Sequence, residues 1–246
     1  MKSMWWLALV VSGCGLVNSN TLSSDYPFEP QEFSQKLGGD EHSAQTVPLA
    51  MCDPMAATDS CAALQTQLPA GTTAKMQCDP VTHACAAFAD VRLPYPVDLS
   101  QQALPAPVVQ YGVDKVTIKK IAYWIKSDTV NVAVPPIELY VAASAAKELT
   151  DPTVKLVGSI AMLPARAPAC ADARDNEGDK AANPLAVCDL NLKSDGEEAM
   201  AAFVKDYKTP FQFIAHVKIV AHGGDPAPVG TLDFVVRPTV SFSVLK

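Results

Sequence analysis

Alternation of apolar and polar residues dominates the last part of the chain. Phe211, Phe213, Ala215, Val217, Ile219 and Ala221 share one parity, while Gln212, His216, Lys218 and His222 take the other. A side-chain period of two puts each set on its own face, which predicts a half-buried strand. Leu232, Phe234 and Val236 follow, then Arg237-Pro238, then Val240, Phe242 and Val244. Gly223-Gly224-Asp225-Pro226 and Gly230 bound the connection, so the pair reads as a hairpin continued past a bend.

Earlier segments repeat the theme. Lys115 to Ile125 (KVTIKKIAYWI) changes parity at Lys119-Lys120, which predicts a bulge. Val130, Val132 and Val134 alternate until Pro135-Pro136 stops them. Ile137, Leu139 and Val141 form another run, as do Val154, Leu156 and Ile160 around Gly158. One segment has helical period instead: Met200, Phe203, Val204 and Tyr207 fall on one face, after Ser194-Asp195-Gly196-Glu197 in the form of a capping box. About seven short strands with one amphipathic helix predict a mainly β chain, an antiparallel β-sandwich over residues 91–246.

Residues 51–90 read as a small module stapled by cysteines. Cys52, Cys61, Cys78 and Cys85 are spaced C-x8-C-x16-C-x6-C, without the C-x2-C or C-x4-C pairs of zinc knuckles. Four cysteines allow three connectivities, all open from sequence. Cys78 to Cys85 (CDPVTHAC) reads as a turn that a bridge could close. Cys170 and Cys188 flank an acidic loop and are expected to close it. Its Asp172, Asp175, Glu177 and Asp179 do not follow the calcium-loop spacing, so a solvated loop is expected rather than a metal site.

The amino-terminal region differs from the rest. Lys2 gives a positive start, Met4 to Val11 (MWWLALVV) is apolar, and Val11-Ser12-Gly13-Cys14 follows. The apolar run is too short to span a bilayer and has the form of a secretory signal. Val11-Ser12-Gly13-Cys14 resembles the lipobox of bacterial lipoproteins at all four positions. The resemblance implies a signal over 1–13, cleavage before Cys14, lipid on the Cys14 sulfur, and a membrane as partner. It also implies the cell envelope, with Gly15 favouring the outer membrane in a Gram-negative cell. Lipid on Cys14 leaves six of the 7 cysteines, an even number for pairing in an oxidising compartment. Residues 14–50, rich in Ser, Asn, Gln and Gly, are then expected to be a flexible tether with a reach of about 35 Å.

Composition narrows the rest. A net charge of −7 and no Lys/Arg cluster argue against nucleic acid as a partner. The chain lacks G-x-S-x-G, H-E-x-x-H, phosphate-loop and dinucleotide motifs, so no catalytic residue, cofactor or metal ligand is assigned. His216 and His222 are expected to be solvated, about 20 Å apart along one strand face. A non-catalytic binding or scaffolding module, with another envelope protein or a glycan as its partner, is the expected function. The alternative is a carrier of an apolar ligand, in a cavity lined by Phe211, Phe213, Phe234 and Phe242.

Overall fold

A computed structural model describes residues 21–39, 44–55, 60–167 and 188–245. Cys14, Cys170 and the acidic residues after it lie outside these. Among the described residues, eleven strands form two antiparallel sheets. The strands are β1 (Thr21–Pro27), β2 (Gln31–Gly38), β3 (Lys75–Asp79), β4 (Ala84–Val97), β5 (Lys115–Asp128) and β6 (Ile137–Ala143). They continue with β7 (Lys155–Ile160), β8 (Cys188–Asp189), β9 (Asn191–Leu192), β10 (Phe211–His222) and β11 (Gly230–Leu245). The helices are α1 (Ala106–Tyr111) and α2 (Ser194–Lys205), with short 3-10 turns at Ser60–Gln67 and Leu99–Gln101.

One sheet runs β1-β11-β5-β8, with β2 also on β11, and the other runs β3-β4-β10-β6-β7-β9. The chain is therefore mainly β and antiparallel. The facing sides carry the alternating residues: Phe213, Ala215 and Val217 of β10 and Phe234, Val236 and Phe242 of β11 belong to one buried cluster. α2 packs on β5 of one sheet and on β6 and β7 of the other, with Met200 and Val204 fully buried.

Several expectations are corrected. Residues 21–38 are not tether: β1 and β2 form one edge of the first sheet, paired in succession along β11. Their break falls at Pro238, whose carbonyl accepts from the Phe28 amide at 2.9 Å. A strand residue turns its N–H and C=O to the same side, so Pro238 lacks its N–H where the edge is interrupted. The cysteine module is not a separate unit, because β4 runs unbroken from Ala84 to Val97 through its boundary. β10 and β11 are not a hairpin. β10 pairs with β4 and β6, and β11 pairs with β1, β2 and β5, so residues 223–229 carry the chain from one sheet to the other.

Local details also differ. The bulge in β5 is where expected, with Lys120 opposite Thr239 and Ile118 opposite Val240, leaving Lys119 over. Val130 to Val134 is no strand: the Asp128 carboxylate accepts from the Val130 amide at 2.9 Å, and only Val134 bridges, to Leu163. A bulge in β7 leaves Val157 over, between Gly158↔Leu139 and Leu156↔Tyr140, and buries Val157. α2 has no capping box. Lys193 is its N-cap, and the Glu197 amide donates to the Lys193 carbonyl. Gly196 is buried because a Cβ there would lie 2.1 Å from the Leu156 carbonyl oxygen, so the helix sits directly on the β7 backbone.

Candidate functional site

The end of the sandwich where β10 stops and β3 turns into β4 carries a group of exposed apolar side chains. Asp79 organises the turn. Its carboxylate accepts from the Val81 amide and the Thr82 hydroxyl, each at 2.9 Å, and its carbonyl accepts from the His83 amide. The turn forms as the Asp-Pro pair suggests. The bridge does not span it, however: the disulfides are Cys52–Cys78 and Cys61–Cys85. Cys78 and Cys85 are cross-strand neighbours, so the two bridges leave side by side. The Cys52, Cys61 and Cys78 sulfurs thus lie within 4.8 Å of one another, as disulfide sulfurs rather than thiolates.

These bridges hold residues 45–52 against the sheet. The Cys52 amide donates to the His83 carbonyl and the Cys85 amide to the Ala50 carbonyl. Val47 exchanges backbone bonds with Gly224 and Asp225. Gly223 permits the close crossing, since a Cβ there would meet Leu49 Cδ2 at 2.9 Å.

The segment is pinned by its backbone, so its apolar side chains point outwards. Leu49, Met51, Met55 and Val81 are 76–89% exposed. Leu49 and Met51 border a shallow depression of about 370 Å³, with Thr82, His222 and Gly223 on its other sides. His222 is not simply solvated. Its Nε2 lies 3.2 Å from Asp79 Oδ2, and its backbone amide donates to Asp225 Oδ2 at 2.9 Å. The Val81 amide and Thr82 hydroxyl hold the Asp79 carboxyl below the usual carboxylate range, and the His222 ring adds to this.

His216 is set in a second polar cluster on the outer face of the same sheet. Its ring nitrogens face Asp90 Oδ1 at 3.1 Å and Glu138 Oε2 at 3.3 Å. The Tyr140 hydroxyl donates to Glu138 at 2.6 Å, and burial with that carboxylate pushes the phenol up. Arg92 pairs with Glu148 beside it. The two carboxylates take opposite ring nitrogens and do not converge on one point, so the cluster ties β4, β10 and β6 together across the sheet.

Phe211, Phe213, Phe234 and Phe242 are all core residues. Between the sheets lies an apolar void of about 20 Å³, walled by Leu37, Val91, Val134 and Phe234 among others. That is far below the ~300–1,000 Å³ of small-molecule sites. Among the cysteine candidates, Cys188 is half-buried in β8 opposite Tyr123. Among the described residues no helix is long and apolar enough to cross a membrane. Sequence alone missed the exposed platform: Leu49 and Met51 sit in a stretch without periodicity, and long-range disulfides and backbone bonds place them.

Fold and surface together define a disulfide-braced antiparallel β-sandwich with an apolar platform at one end. Comparison with known protein families, curated proteins and solved structures finds no match.

Proposed function

We propose that the chain is an envelope lipoprotein, anchored by lipid on Cys14, whose sandwich binds another envelope protein through the Leu49–Met51–Val81 platform. The observation that carries this reading is that four large apolar side chains stay exposed on a backbone fixed by two disulfides. Exposed apolar clusters rimmed by polar groups mark interaction sites, and fixing them beforehand lowers the ordering cost of binding. Leu and Met favour a protein partner over a glycan, which stacks on aromatic rings. Asp53, Asp79 and Asp225 flank the platform, so a partner with basic residues around an apolar centre fits it. The void of about 20 Å³ weighs against an enclosed apolar cargo.

The test uses crosslinked envelopes from cells carrying the wild-type chain, Leu49→Asp/Met51→Asp, or Met162→Asp as an exposed control. A neighbour captured by wild type and control but lost from the platform variant supports the reading. It must then bind the purified chain at least about tenfold more weakly when the platform is charged, the loss of roughly 1.4 kcal/mol. An identical set of neighbours for all three overturns it. Cys14→Ser should release the chain from membranes, and retention would remove the anchor.

A further inference from the structure

A second exposed apolar group lies at the opposite end of the sandwich. Thr21 opens β1 opposite Leu245, the last residue of β11. The other end of β11, Gly230, follows the loop from His222 that borders the platform. Sixteen residues of strand separate the two ends by about 50 Å at most.

α1 belongs to the Leu245 end. It packs on β11, and three residues after Tyr111 the Asp114 amide donates to the Ser243 carbonyl at 2.9 Å. Val108 is its buried contact. Val109, Tyr111 and Leu245 instead are 49–63% exposed. The first turns of β5 start here too, with Lys115 opposite Ser243 and Lys119 at the bulge, both exposed.

The chain leading to this end decides what covers it. Thr21 comes only seven positions after Cys14. Fully extended, that stretch reaches about 25 Å at most, so lipid on Cys14 would hold the Thr21–Leu245 end that close to the headgroups. Val109 and Leu245 offer aliphatic groups there, and Tyr111 offers a ring with a polar tip, the type that settles at a membrane interface. Asp25 and Asp114 lie at the same end, so Lys115 and Lys119 leave little net charge. Apolar contact has to do most of the docking, with lysine ammonium groups reaching lipid phosphate.

We infer that the α1–Leu245 end of the sandwich lies on the bilayer surface, with Val109, Tyr111 and Leu245 in the headgroup layer. This rests on the lipid anchor proposed above. It sets the long axis of β11 away from the membrane and presents the Leu49–Met51 platform outwards.

The experiment places the photoreactive residue p-benzoylphenylalanine at Tyr111, or separately at Val81, in the full chain produced in a bacterium. Each protein is purified from membranes and reconstituted in phosphatidylethanolamine vesicles with a minority of phosphatidylglycerol. Mass spectrometry then reads acylation of Cys14 and lipid adducts at the probe. Acylated protein with at least about tenfold more adduct at position 111 than at 81 supports the inference, because the far end lies outside the lipid layer. Acylated protein with equal adducts, or more at 81, overturns the orientation and leaves the anchor standing. Protein retained without acyl groups on Cys14 removes the anchor, and the orientation with it.

Discussion

His222 Nε2 lies 3.2 Å from Asp79 Oδ2, although 143 positions separate the two residues. The contact joins the end of β10 to the β3–β4 turn and so holds the floor of the exposed platform. Asp79 does more than meet this ring, because it also caps the turn through Val81 and Thr82.

That arrangement has a pH signature. The folded Asp79 carboxyl ionises below its unfolded value, which is about 3.9. Its contribution to stability is therefore fully present above that value, and is lost as pH falls through the lower folded one. Asp79→Ala should lower the melting temperature at pH 7, and the gap to wild type should narrow as pH falls below about 4. A gap of constant size between pH 7 and acid would show that the carboxylate charge does not matter to the turn.

Disulfide mapping without reduction should find Cys52–Cys78 and Cys61–Cys85 rather than a Cys78–Cys85 pair. The bridges close similar loops, with sequence separations of 26 and 24, so chain entropy alone makes each worth about 3 kcal/mol. Burial separates them. Cys61 and Cys85 are fully buried, whereas Cys52 and Cys78 are half-exposed. Cys61→Ala/Cys85→Ala should therefore cost more in urea unfolding than Cys52→Ala/Cys78→Ala, by about 1 kcal/mol or more of lost packing.

β1 and β2 make the amino-terminal edge part of the folded body. Native hydrogen exchange should find the Phe28 amide and the paired amides of residues 31–38 slowed by orders of magnitude against a free chain. Exchange at coil rates across 21–38 would return this stretch to a tether. Phe33→Ala should also destabilise the sandwich by about 3 kcal/mol or more, since its ring stacks on Phe234 with centroids 5.1 Å apart.

Where the sequence was legible, the signal was local. The six alternating residues of β10 and the parity change at Lys119 needed no partner to be recognised. β1 was not legible, because TLSSDYP lies on a sheet edge with every second residue exposed and has no apolar run to show. β2 buries Gln31 beside Phe33 and Leu37, so a polar residue occupies a core position and blurs the pattern. Sheet membership was equally hidden. Gly223 to Val229 looked like a hairpin connection, yet it links two sheets, and only long-range pairing decides that. The platform depends on the same long-range facts, namely the pairing of four cysteines and the reach of His222 to Asp79.

Gly196 tests how firmly α2 is seated. Alanine normally favours a helix over glycine by about 1 kcal/mol, so propensity alone makes Gly196→Ala stabilising. The packing says the reverse. A Cβ would stand 2.1 Å from the Leu156 carbonyl oxygen and 2.4 Å from Val157 Cα, both backbone atoms of β7 that have no rotamer to escape by. The helix would have to lift, and Met200 and Val204 would lose part of their burial with it. A net loss of about 2 kcal/mol or more is expected, within the range for overpacking plus lost contacts. Urea unfolding of the variant measures it. A gain in stability would mean that α2 rests on the sheet more loosely than the contact between Gly196 and Leu156 requires.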